Sequence, residues 1–366
     1  QSSELTFIDS SSNMEELSLR VFLVCTHSVA GALPLGIMIV SDERTTTLVE
    51  GFTLLKNCMG DDAFFGRKCL GPRVIMTDNC SELRDALKIV WPQSRLLLCI
   101  FHLMQQVWRW LCEKKNGVHA DHRAQILSLM KSIIYAEMED ISERTDDMLE
   151  HSLFEKYPNA KKYLQDVLDL KESWALAYRN SLPIRGNNTN NYVEAQFLIT
   201  KDEILNRVKE YNIVGLVDKL TINLEEHYMT KLLSIADGSF DGIYSARFKG
   251  LIKNLPPSDV LDGISKNVVS VGNEIFKVPS FTCPNVEYLV DMSLSQCECP
   301  IGINGAPCKH QYLLWLKHWS TMSRNFLPIF NGKERQEFAK LAVGVSGPDC
   351  LYEGIRDRIT TVHPGG

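Results

Sequence analysis

Short runs of apolar and β-branched residues open the chain. Residues 5–9, 19–27 and 33–41 each predict a strand, and the segment joining the last two holds Gly31, which suits a hairpin. From residue 45 the apolar spacing lengthens to three and four. Leu48, Phe52 and Leu55 predict a helix over 45–59, with threonines available to cap its start. A buried strand is predicted at 72–78, ending on Asp78, then a helix at 81–90 with Ser81 as N-cap. A strand at 95–101 and an aromatic-rich helix at 103–113 complete the series. Meandering strands that then alternate with helices make a mixed sheet with helices on its faces.

That order is the one expected of a ribonuclease H-like core, whose first part is assigned to residues 1–122. Helical spacing without strands marks 123–185 as a helical insertion. After a polar loop at 181–191, residues 186–255 read as a helical segment completing the core. Val193, Phe197, Ile204 and Val208 lie along one helix, and Leu216, Leu220, Leu224 and Leu232 along a second at 214–235. Pro256, Pro257 and Gly263 suggest a linker before a β-rich unit at 266–320 and a C-terminal tail at 321–366. The expected class is α/β: a ribonuclease H-like mixed sheet with a helical insertion, plus a small ββα zinc-finger module.

A length of 366 residues allows two or three domains, and 45% hydrophobic with 23% charged residues excludes wholesale disorder. The apolar runs are strand-length, so no membrane partner is expected. The first residue is Gln1, and the chain starts close to a strand, which suggests that material precedes it. Eleven cysteines, an odd number with several in apolar runs, suit reduced thiols in the cytosol or nucleus. The net charge of −6 argues against a surface coated in positive charge for nucleic acid. Its distribution softens that objection. Residues 137–172 hold eleven acids and five bases, whereas 105–136 hold five bases and two acids.

Near the C-terminus the chain reads Cys297-Glu-Cys299-Pro-Ile-Gly-Ile-Asn-Gly-Ala-Pro-Cys308-Lys-His310. Alternate residues of an extended chain face one side, so each Cys-x-Cys or Cys-x-His pair can offer two donors to one ion. Three thiolates and one imidazole form a closed, structural Zn2+ site. Cys283 is the nearest rival ligand, and a predicted strand separates it from Cys297. The spacing C-x-C-x8-C-x-H resembles the SWIM zinc finger, which implies a hairpin leading into a helix and a surface for DNA or a protein partner.

Asp9 and Asp78 each end a predicted strand. An acid at the tip of a buried strand is costly unless it is solvated or compensated. Adjacent strands would bring the two carboxylates together, where Mg2+ or Mn2+ would relieve their repulsion. The surrounding text, Thr77-Asp78-Asn79 with Trp91-Pro92 and then Cys99-Ile-Phe-His102, resembles the MULE (Mutator-like element) transposase domain. The later Arg185-Gly-Asn-Asn-Thr-Asn-Asn-Tyr-Val-Glu194-Ala resembles that family's segment carrying the third acid. The resemblance covers about 1–235 and 280–320. It implies a catalytic triad of Asp9, Asp78 and Glu194 holding magnesium, with Cys99 and His102 supporting it. The family often has Asp-x-Thr after the first strand where this chain has Asp9-Ser10-Ser11. Asp42 and Glu15, the other candidates for the first acid, fall in turn or loop positions.

Cys99 and His102 could be a metal half-site, a nucleophile pair or a buttress; no third group orienting the histidine is evident. Trp108 and Trp110 neighbour Arg109, Lys114 and Lys115, which could stack bases and pair phosphates or simply pack. His119 and His122 lie in a polar run and are expected to face solvent. The resemblance implies a nuclear DDE transposase acting on transposon ends and target DNA, possible as a homo-oligomer, with a zinc-finger protein partner also possible. The alternative is a domesticated, non-catalytic DNA-binding or protein-interaction scaffold.

Overall fold

A computed structural model describes residues 2–28, 30–208, 212–238, 255–272, 274–283, 285–292, 296–303, 306–318 and 332–352. They fall into two compact units. One is formed by residues 1–13, 18–27 and 34–196; the other by 14–17, 28–33 and the chain from 197 onward.

A five-stranded sheet is built from β1 (Leu5–Ser11), β2 (Arg20–Ser28), β3 (Gly31–Val40), β4 (Val74–Thr77) and β5 (Arg95–Leu98). Its order is β3-β2-β1-β4-β5. β1 runs antiparallel to β2 and parallel to β4, and β4 runs parallel to β5. Ile8, Phe22, Val24 and Ile75 lie on one face and pack with helices Thr45–Cys58 and Ser81–Val90. Trp91, 1% exposed, fills that layer between Phe52 and Phe64, whereas Pro92 after it is exposed. Gly71 lets the chain pass beneath it: its φ is +71°, and an added Cβ would lie 2.5 Å from the Trp91 ring.

Element boundaries differ from expectation at three helix starts, none of whose N-cap residues makes a side-chain cap hydrogen bond. Cys80, not Ser81, is the N-cap of Ser81–Val90, and Ser81 Oγ donates to Glu82 instead. β5 stops at Leu98; Cys99 caps helix Ile100–Cys112, and the Ile100 N–H donates to the Asn188 carbonyl. Asp42, not a threonine, organises the start of Thr45–Cys58 by accepting from the Arg44 N–H and the Thr47 hydroxyl.

The region beyond Cys112 is helical among its described residues: Ala120–Ile134, Ile141–Glu150 and Pro158–Leu168 enclose a core that includes Val107, Met130, Leu164 and Trp174. The chain then returns to the sheet through a buried polar clamp. Arg179 is wholly buried, and its guanidinium donates to the carbonyls of Leu98 and Ser173 and to Asn188. Burial pulls this group down to about 10, so it stays charged at neutral pH. Helix Asn191–Ile199 follows directly. Tyr192 on it stacks on Phe7 of β1, with ring centroids 5.4 Å apart.

In the other unit, the helical segment expected at 214–235 runs without a break through Ile213–Asp218, a π-helical stretch at Lys219–Asn223 and Leu224–Ala236. The expected linker is also corrected: Pro257 is the N-cap of a helix, Ser258–Ser265, which contains Gly263. Its Leu261 packs into the core of a four-stranded sheet, β6 (Val269–Gly272), β7 (Ile275–Pro279), β8 (Glu287–Asp291) and β9 (Gln296–Cys297), beside helix Lys309–His318. The expected tail contains helix Gly332–Val343. Residues 239–254, 319–331 and 353–366 of the regions assigned above lie outside the described residues.

Replacing Arg179 by Met removes the donors while keeping much of the volume. Urea unfolding of Arg179→Met should show a loss of roughly 3 kcal/mol or more, because three buried acceptors lose a charged partner. A change below about 0.5 kcal/mol would contradict the clamp.

Candidate active site and metal centres

The register of the parallel pair places the two strand-end acids. Leu5 stands against Val74, Thr6 against Ile75 and Phe7 against Met76; Asp9 and Asp78 each follow two residues beyond that last pair, and Asp9 feels the Asp78 charge. The period of two also puts both on the Phe7–Met76 face, away from helices Thr45–Cys58 and Ser81–Val90. Burial raises the Asp9 carboxyl to about 7, and the neighbouring Asp78 and Glu194 carboxylates add to the rise. Asp78 is also raised, first by burial, while His102 opposes the shift and Glu43 adds to it. The site is therefore short of positive charge.

Glu194 sits on helix Asn191–Ile199, and its Oε1 lies 3.2 Å from His102 Nε2. His102 is raised to about 9, first by its hydrogen bond with Cys99 and then by the Glu194 and Asp9 charges. Cys99 is buried, and its Sγ accepts the Asn190 N–H at 3.2 Å. The donor atoms of Cys99, His102 and Glu194 lie within 4.8 Å of one another. Asp9, Asp78 and Glu194 do not form such a group among the described residues: Asp9 feels the charges of the other two, but Glu194 contacts His102. A thiol, an imidazole and a carboxylate are thus gathered where they could share one metal ion.

Two rival first acids have other work. Asp42 is held by Arg44 and Thr47, and Glu15 is buried and accepts the Leu17 N–H. One acid escaped sequence reasoning. Glu43 accepts the Ser10 hydroxyl at 2.7 Å and pairs with Arg20 at 3.3 Å, which brings a fourth carboxylate beside Asp9 and Asp78. Its only sequence signal is its place between a strand and a helix.

Asp78 and His102 also open onto a cleft of about 480 Å3 along helix Ile100–Cys112. Trp110 lines it and stacks on Tyr163, whereas Trp108 is 41% exposed and lies elsewhere, with Lys131. His122 is not free in solvent: its Nδ1 lies 2.7 Å from the Tyr157 hydroxyl, while His119 pairs with Asp121.

In the other unit, Cys297, Cys299, Cys308 and His310 are all buried, and their donor atoms lie within 4.8 Å of one another. His310 Nδ1 is 3.8 Å from Cys297 Sγ and 3.9 Å from Cys308 Sγ. Cys299 Sγ accepts the Gly302 N–H, and Cys297 Sγ accepts the Cys299 N–H. Gly302 has no room for a side chain, since a Cβ would lie 2.4 Å from that of Cys297. Hydrogen bonds from Cys297 and Cys308 hold the Cys299 thiol far down, while the bond to Cys299 pushes Cys297 far up. A soft divalent cation resolves that conflict, and this donor set fits zinc. Cys283 is exposed and stands apart from the cluster. Elemental analysis of purified protein should find close to one zinc per chain, and Cys308→Ser should lose most of it. Full zinc retention in that variant would contradict the assignment.

A 101-residue segment is 34% identical to part of a PKS-NRPS hybrid synthetase, cheA, of Chaetomium globosum, covering 27% of this chain and 2% of that protein. A 136-residue segment is 27% identical to a probable transposase for an insertion sequence element of Corynebacterium diphtheriae, covering 37% of this chain and 35% of that protein. The chain thus spans about a third or less of either relative's length. The segment that forms the five-stranded sheet and carries Asp9, Asp78, Cys99 and His102, residues 6–106, matches the family model of the MULE transposase domain.

Proposed function

We propose that this chain is a Mutator-like DDE transposase, or a protein descended from one, acting on DNA in the nucleus. The observation that carries the reading is that Asp9 and Asp78 follow the same pair of neighbouring parallel strands, with Asp9 raised by the Asp78 charge, inside the segment matching the MULE transposase domain. The strand order β3-β2-β1-β4-β5 supports a ribonuclease H-like core. The raised Asp9 and Asp78 carboxyls are hard oxygen donors in need of a cation, which suits magnesium or manganese. Such ions, when bound, would activate a water and then a 3′-hydroxyl for attack on a phosphodiester.

The chain's own residues divide the remaining work. Asp9 and Asp78 supply the donor oxygens from rigid strands. His102 holds Glu194 by a charge-assisted contact, and Cys99 fixes His102 while bonding to the Asn190 backbone. The Cys297–His310 cluster, with its hairpin and following helix, supports a SWIM-type finger in which zinc serves structure.

The engagement of Glu194 by His102 also favours a second reading, a non-catalytic descendant that keeps the fold as a DNA-binding or protein-binding scaffold. Supercoiled plasmid incubated with Mg2+ or Mn2+ separates the two. Wild type should nick it, and Asp78→Ala should be slower by a factor of about 100 or more, as for loss of a major transition-state stabiliser. Equal nicking by both removes the enzyme claim. Absence of nicking in both, with DNA binding intact, selects the scaffold.

A further inference from the structure

We propose that the cleft beside Asp78 seats one unpaired nucleotide of the DNA strand next to the cleaved bond, with its base stacked at Trp110–Tyr163 and its phosphate taken by Arg109. This rests on the strand-cleavage reading. The cleft begins at Asp78 and His102 and runs along helix Ile100–Cys112. His102, Gln106, Arg109 and Glu113 succeed one another at steps of four, three and four, so they form a single stripe about 16 Å long. Its volume of about 480 Å3 lies within the usual range for small-ligand sites.

Three features select a nucleotide. The Trp110 and Tyr163 rings lie parallel, 4.4 Å apart and 2° from coplanar directions, forming a rigid π platform that a base can extend. Arg109 is exposed and has no hydrogen bond or ion pair among the described residues. Of the neighbouring cations, Lys115 pairs with Glu113, Arg123 donates to the Val118 carbonyl and Arg95 pairs with Glu172, while Lys114 is exposed like Arg109. Gln105 and Gln106 add amides able to meet a base edge, and Gln106 uses only its oxygen internally, toward Asn79. A base paired inside a duplex has both faces covered by its neighbours, so a stacking platform of this kind serves a nucleotide that has left the stack. The acids of the cleft do not forbid a phosphate. Glu113 is offset by Lys115, and Asp78 stands at the end assigned to divalent ions.

The test compares two fluorescent DNA duplexes of identical sequence, one blunt and one with three unpaired nucleotides at an end, in Ca2+ buffer by anisotropy. The same preparations are assayed for plasmid nicking in Mg2+. Wild type should bind the frayed duplex about five- to tenfold more tightly, and Arg109→Ala and Trp110→Ala should each erase most of that preference. Arg109 is a surface residue, so Arg109→Ala decides the matter if Trp110→Ala proves unstable in a melting curve. A preference unchanged in Arg109→Ala, or no preference in wild type that nicks plasmid, overturns the cleft assignment and leaves the cleavage reading standing. A preference lost in Arg109→Ala, in protein that never nicks, upholds the cleft and removes the cleavage reading.

Discussion

The buried clamp centred on Arg179 is the interaction on which the candidate site depends. Glu194 is separated from His102 by a long helical excursion, yet the two meet at 3.2 Å. The excursion is closed where Arg179 joins the end of β5 to Asn188, where Ile100 bonds to Asn188, and where Asn190 bonds to the Cys99 thiol. A charged guanidinium is expensive to bury, and it is tolerated here because several carbonyls converge on it. The convergence has one good geometry, and that geometry starts helix Asn191–Ile199 in register with the sheet. The Phe7–Tyr192 stack then sets the helix against β1.

The same chain holds two clusters that need positive charge, and the chemistry of each is distinct. At the sheet, burial raises Asp9 and Asp78, with Asp78 and Glu194 adding to the rise at Asp9 and Glu43 at Asp78; on the proposed reading these oxygens take a hard cation. In the other unit, three thiols and an imidazole converge in a buried pocket and call for a soft one. The first is open to a cleft, as a reacting site must be. The second is closed, with backbone N–H groups of Cys299 and Gly302 already bonded to its sulfurs. The net charge of −6 is a poor guide to partners, since it is unevenly spread: residues 137–172 carry an acidic excess and 105–136 a basic one.

Local signals made much of this legible in the sequence. Strand runs at the start of the chain, and the four zinc-type donors, depend on spacing within a few residues, and both are where the pattern puts them. Asp78 was visible because a strand and a helix meet there. The missing parts depend on distant residues. Arg179 reads as an ordinary helix-surface base until Leu98, Ser173 and Asn188 surround it. Glu43 acquires meaning only through Ser10 and Arg20. The helix Ser258–Ser265 was hidden because two prolines suggest a linker, whereas Pro257 in fact caps it. Cys99 reads as part of a strand because its neighbours are apolar, and it caps a helix because Asn188 draws the Ile100 N–H away from the sheet.

The central claim is that Asp9 is crowded by neighbouring acids in a site built for a cation, and the pH dependence of stability measures this directly. A carboxyl raised from 3.8 to about 7 keeps its proton in the folded state longer than in the unfolded one, so stability falls as pH rises through that window. His102, raised to about 9, acts in the same direction between its unfolded value and that pH, so Asp9→Asn is needed to isolate the acid. Urea unfolding in EDTA from pH 4 to 8 should show wild type losing on the order of 3 kcal/mol more than Asp9→Asn, and added Mg2+ or Mn2+ should restore most of the loss. Identical pH profiles for the two proteins, with no response to either ion, would contradict the account.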